Sequence, residues 1–251
     1  GDSGNALTQA TFYQGALRNN YAPTTVNRRM AALRSITRLA RDLGKITWRL
    51  RIADLKTTPN RKTAGPGVAA IERMMQAAHL EGGAQGPRDL AIIWLLYGLG
   101  LRRAEVANID REHVHLGEEV PWIDILAKGG NEYEPMTIMG QVKAAIAGWN
   151  TYRGDHPGPL FTTMSPAVAD KDRRITTKGI SDIVKRLGLA VGVRTTPHGL
   201  RHTAITEAVR KNNVLDAQIF SRHTDLRTLQ TYYDRDKGTA ADVAASIAEG
   251  M

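Results

Sequence analysis

Six residues of this chain could together carry out phosphoryl transfer without a metal ion: Arg102, Lys128, His198, Arg201, His223 and Tyr232. That chemistry needs two or more cations around the non-bridging oxygens, a nucleophile in line, and an acid for the leaving oxygen. His198 and Arg201 stand three apart, so on a helix they share one face. Arg102 falls beside a helix start, where a positive side chain is costly to bury unless an anion binds there. Tyr232 follows His223 by nine residues, and Lys128 is the only lysine between Arg88 and Lys143. Taken singly, each has an ordinary reading. Arg102 could pair with Glu105 on the surface, His202 reads best as a hydrogen-bonded core histidine, either Tyr232 or Tyr233 could simply pack, and Lys128 could be solvated. His198 and His202 have the spacing of a zinc pair, but no glutamate sits between them as in HExxH and no third ligand is evident. No metal and no cofactor is therefore expected.

The elements that must hold these residues are mostly helical. Apolar residues recur at Val26, Met30, Leu33, Ile36, Ala40 and Leu43, one stripe of an amphipathic helix. Pro23-Thr24-Thr25 marks its start with a hydroxyl cap, and Gly44 its end. Arg28, Arg29, Arg34, Arg38 and Arg41 occupy the rest of that helix. A shorter helix is expected over 8–20. Residues 59–65, within KTTPNRKTAGPG, read as a linker between an all-α domain at 1–58 and a second domain at 66–251. The second domain is expected to be mainly α with a small antiparallel β-sheet. Helices are expected at 68–80, 88–97, from near Arg102, and at 140–153, 176–191, 198–211, 214–221, 225–235 and 239–249. WIDIL at 122–126 and PMTIM at 135–139 flank a hairpin turn that carries Lys128.

Composition narrows the class. The chain has 251 residues, 42% hydrophobic and 24% charged, ordinary for a globular protein. Without cysteine it has no disulfide, no Cys-based zinc site and no thiol nucleophile. No apolar run approaches the roughly 18 residues of a membrane helix. The start, GDSGNALTQ, has no secretory character and, lacking an initiator Met, reads as a trimmed end. A cytoplasmic, DNA-associated protein with no membrane partner is expected. The first 65 residues hold twelve Lys and Arg against three Asp, so the whole net charge of +9 lies there. A localised basic segment is the footprint of a polyanion, most often nucleic acid.

Five segments, taken together, resemble the tyrosine recombinase (phage integrase) family. GLGLRRAEVANI is similar to the first-arginine box, typically TGLRxSEL. HGLRH matches HxLRH, and SRHTDLRTLQTYY resembles LGHSxxxTTxxYxH with its His-to-Tyr interval intact. AKGGNEYEP resembles the GKGxKxRxxP hairpin, and TTVNRRMAALR a segment of the SAM-like core-binding domain. The resemblance covers about residues 20–236.

The resemblance implies a DNA recombinase that cleaves and rejoins strands through a 3′-phosphotyrosyl link, without metal or ATP. Arg102 and Arg201 would clamp the phosphate, His198 and His223 would hydrogen-bond it, Lys128 would protonate the 5′ oxygen, and Tyr232 would attack. Glu105 would orient the arginine box, with His202 behind the catalytic set. Arg28, Arg29, Arg34 and Arg38 would grip the DNA backbone. The implied partners are double-stranded DNA with inverted-repeat sites and three further copies of the chain, with two domains clamping the duplex. Residues 239–249 would dock on a neighbouring protomer. The chain departs from the pattern in three places. Ser221-Arg222-His223 puts an arginine where the family has glycine, Gly129-Gly130-Asn131-Glu132 replaces a basic run, and Tyr233 adjoins Tyr232. Two other classes remain open, a type IB topoisomerase-like nicking-closing enzyme and a non-enzymatic DNA-binding regulator. Strand exchange between two DNAs separates the first, and indifference to Tyr232 the second.

Overall fold

The computed structural model describes residues 3–57, 65–127, 132–164, 173–211 and 214–222. The chain divides into two compact units, Gly1–Arg61 and Lys62–Met251.

In the first unit, α1 (Ser3–Arg18) packs against α2 (Pro23–Asp42). Ala10 and Leu17 of one meet Val26 and Met30 of the other, with Leu33, Leu50, Ile52 and Leu55 packed around them. The stripe on α2 is therefore only half used. Val26 and Met30 are fully buried, whereas Ile36 and Leu43 are each 64% exposed. Periodicity marks which face of a helix is apolar, but the length of the partner decides how much of it is covered. The expected hydroxyl cap is also absent: Ala22 is the capping residue, and no side chain bonds the first turn. Pro23 has no N–H, so one of the donors a cap would serve is missing. The segment after α2 is tied back by side chains. Asn27 both donates to the Leu55 carbonyl (2.9 Å) and accepts from its N–H (2.8 Å). Arg34 donates to the Ile52 carbonyl and pairs with Asp54 at 2.8 Å.

The second unit is built around α4 (Gln85–Gly98), whose Ala91, Ile92, Ile93, Leu95 and Leu96 are all fully buried. It touches α3 (Val68–His79), α6 (Gly140–Arg153), α7 (Thr177–Ala190) and α8 (Pro197–Lys211), so one helix organises the core. A short α5 (Arg103–Asn108) follows it. The sheet is three-stranded and antiparallel, in the order β1 (Val114–His115), β2 (Trp122–Leu126), β3 (Tyr133–Thr137). Alternation places Ile123 and Ile125 of β2 inward. The pairing Leu126 with Tyr133, extended by Ala127 N–H to the Glu132 carbonyl at 2.8 Å, closes the hairpin up to residues 128–131. After α8 comes α9 (Val214–Ser221), which packs on α8 in a small separate cluster of Ile205, Val209, Ala217, Ala208 and Phe220. The expected helices at 225–235 and 239–249 lie outside the described residues.

Candidate active site

The site begins where α4 ends. Gly100 turns the chain with φ +59, and the Leu101 N–H reaches back to the Leu95 carbonyl at 3.1 Å. A Cβ on Gly100 would stand 3.0 Å from the Phe220 ring, so glycine suits both the left-handed turn and the close approach of α9. Leu101 is fully buried and anchors the turn. Arg102 then takes an extended conformation as the capping residue of α5.

Glu105, in the first turn of α5, is the hub of the local charge network. Its carboxylate accepts from the Arg102 N–H (2.7 Å) and from Arg102 Nη1 (2.6 Å). Arg222 Nη2 donates to the same carboxylate from the end of α9, at 2.5 Å. The Glu105 side chain is 7% exposed, so the ordinary surface pairing does not describe it. Burial alone would raise its pKa. The Arg102 backbone N–H and the Arg222 and Arg102 guanidinium groups outweigh that and hold it below the usual value. A carboxylate with a depressed folded pKa stabilises the fold at pH values above its unfolded pKa, and that contribution disappears as the pH falls through the folded pKa. Glu105→Gln should therefore cost about 3 kcal/mol near neutral pH, the low end for breaking a buried ion pair. The gap to wild type, read by thermal melting, should close as the solution is acidified below the ordinary glutamate range. A gap that widens on acidification would contradict this assignment.

The second arm of the site is the start of α8. Thr196 accepts the Gly199 N–H at 3.2 Å and so steadies the first turn. His198 is exposed and Arg201 is buried, yet both line one cleft, as expected from their spacing. Arg201 donates to the Gly100 and Ser221 carbonyls, joining the α4–α5 turn, α8 and the end of α9. His202, which does not border this cleft, is 8% exposed and lies against Thr206.

The cleft, about 590 Å³, is bordered by Arg102, Arg103, Ser181, Lys185, His198 and Arg201. Arg103 and Lys185 were not anticipated. Arg103 Nη1 donates to Ser181 Oγ at 3.0 Å, and Ser181 and Lys185 lie one turn apart on α7. Nothing local in the sequence marks α7 as a wall of the site. Such an arrangement, with several cations on a water-accessible cleft, suits an oxyanion such as a phosphate. Lys128, His223 and Tyr232, and Tyr233 beside it, lie outside the described residues. In the first unit, Arg28 and Arg38 are exposed, Arg29 lies over the Tyr21 ring at 4.0 Å, and Arg34 is engaged with Asp54.

Residues 68–238 match the model of the phage integrase family. A tyrosine recombinase of Synechococcus elongatus, Synpcc7942_B2651, is 33% identical over 226 residues, covering 85% of this chain and 68% of that relative. The tyrosine recombinase slr0733 of Synechocystis is 30% identical, covering 93% of this chain and 75% of its own length. Among solved structures, a XerH site-specific recombinase in a post-cleavage complex with a palindromic difH substrate aligns with 99% of this chain and 72% of its own, at TM-score 0.72 and 18% identity. The Tn1549 transposon integrase bound to a circular intermediate DNA aligns at TM-score 0.73 and 16% identity, over 98% and 85% of the two chains. At these identities the structural likeness speaks to the fold.

Proposed function

The chain belongs to the phage integrase family of tyrosine recombinases, and from that membership we propose that it is a site-specific recombinase acting on inverted-repeat DNA through a 3′-phosphotyrosyl intermediate. The observation that carries this reading is the shared cleft of Arg102, His198 and Arg201, drawn from two separate segments of the chain. In it the guanidinium groups of Arg102 and Arg201 neutralise the non-bridging oxygens of one phosphodiester, and His198 donates a hydrogen bond to the same group. Tyr232 attacks the phosphorus as its phenolic proton passes to the histidines of the site, the bond to the 5′ oxygen breaks, and Lys128 supplies the proton that oxygen takes up. His223 completes the cradle. Glu105 and His202 hold the arginines and the helix from behind.

The two units divide the labour. The first carries the positive excess, and Arg28, Arg29, Arg34 and Arg38 give it affinity for the DNA backbone irrespective of sequence, falling steeply with salt. Arg34 contributes least, because Asp54 already faces it. Four copies on two sites, with residues 239–249 of each docked on a neighbour, form the closed assembly in which strands exchange.

The decisive experiment incubates the chain with nicked duplexes carrying candidate inverted repeats, in EDTA and without ATP, and looks for a covalent protein–DNA band in denaturing gels. The band should form, because side chains supply the positive charge at the phosphate. A strict need for Mg²⁺ in the cleavage step would overturn the mechanism.

A further inference from the structure

We infer that Arg222 is a positioning residue for the reaction: it neutralises the Glu105 carboxylate from behind, so that Arg102 presents its full positive charge to a phosphate in the cleft. This rests on the proposed recombinase reading. A buried carboxylate bonded to Arg102 has two opposed effects. It fixes the direction of the guanidinium, and it cancels much of the guanidinium's charge as felt by an anion on the far side. Placing a second guanidinium on the same carboxylate keeps the first effect and removes the second. Arg222 is well placed for this. Its side chain is 15% exposed, it touches the one carboxylate already engaged by Arg102, and it does not border the cleft.

The backbone at Arg222 supports a role for the side chain. Among the described residues it is the only non-glycine with positive φ, +51. Glycine is the residue that occupies such a conformation without penalty, so the backbone alone favours glycine there. An arginine stands there against that preference, its N–H bonded to the Gln218 carbonyl and its Nη2 to Glu105, while its buried Nε has no hydrogen-bond partner among the described residues. The side chain is thus held for its charge at Glu105 rather than for ideal local geometry.

Arg222→Gly separates the two contributions, since it eases the backbone and deletes only the guanidinium. On nicked substrate at saturating DNA, the single-turnover cleavage rate should fall roughly tenfold, less than the 10²–10³ expected for loss of a direct donor, with half-site affinity little changed. Arg222→Lys should recover part of the rate. In a Glu105→Gln background the same glycine substitution should have no further effect, because no carboxylate remains to be neutralised. A second readout needs no DNA. Carbon-13 NMR titration of the Glu105 carboxyl should give a higher pKa in Arg222→Gly than in wild type. If that titration is unmoved, or if Arg222→Gly cleaves as fast as wild type, the inference is wrong. A wild-type chain that forms no covalent band on any substrate refutes the recombinase reading instead, and the NMR titration still decides the link between Arg222 and Glu105.

Discussion

Tyr232→Phe should abolish the covalent protein–DNA band while leaving affinity for the same duplex within a few-fold of wild type. In the proposed mechanism the phenolic oxygen is the atom that bonds phosphorus, so its removal should take away the reaction rather than slow it, whereas Arg102 and Arg201 remain to bind the phosphate. Denaturing gels report the band and gel shifts the affinity. Tyr233→Phe is the necessary companion, since the two tyrosines are adjacent. Should Tyr233→Phe remove the band and Tyr232→Phe retain it, the nucleophile is the second tyrosine and the interval from His223 is ten residues instead of nine.

If Lys128 is the proposed general acid, Lys128→Ala should slow cleavage of ordinary DNA by about 10²–10⁴, the usual range for such a group. The strands on either side of Lys128 are paired up to Leu126 with Tyr133 and Ala127 with Glu132, so the hairpin ends are fixed and the lysine is carried on the short stretch between them. A proton matters only when the departing atom is a poor leaving group. With sulfur in place of the 5′ bridging oxygen, the leaving thiolate needs no proton, and the variant should approach wild-type rate. Equal defects on the two substrates would make Lys128 a binding residue.

Part of the cleft and of the helices around it was legible in the sequence, for identifiable reasons. The Leu90–Leu101 run is apolar all round, as only a central buried helix is, and the Gly100 turn followed by Arg102 and Glu105 marks the next helix start. The spacing of His198 and Arg201 predicts their common face. Strand β1 was not legible, because two residues are too few to show alternation. The exposure of Ile36 and Leu43 was not legible either, since a periodic stripe carries no information about where its partner ends. Arg222 stood out as a departure from a glycine, but its partner lies 117 residues away, and no local pattern joins the two. Lys185 and Arg103 escaped notice for the same reason: they enter the site through the packing of α7 against α5, a tertiary fact.

Gly100 has a consequence for how freely this enzyme could be varied. Two demands on the side chain meet at that position: a left-handed backbone and a ring 3.0 Å from where a Cβ would sit. Shrinking Phe220 relieves only the second, and the backbone preference for glycine remains. Arg103, three residues along, is exposed and its one described bond is to a serine hydroxyl. A randomised library across this turn should thus favour glycine strongly at position 100 and be more permissive at position 103. Directed evolution toward new target sites has room on the rim of the cleft and almost none at the hinge beneath it.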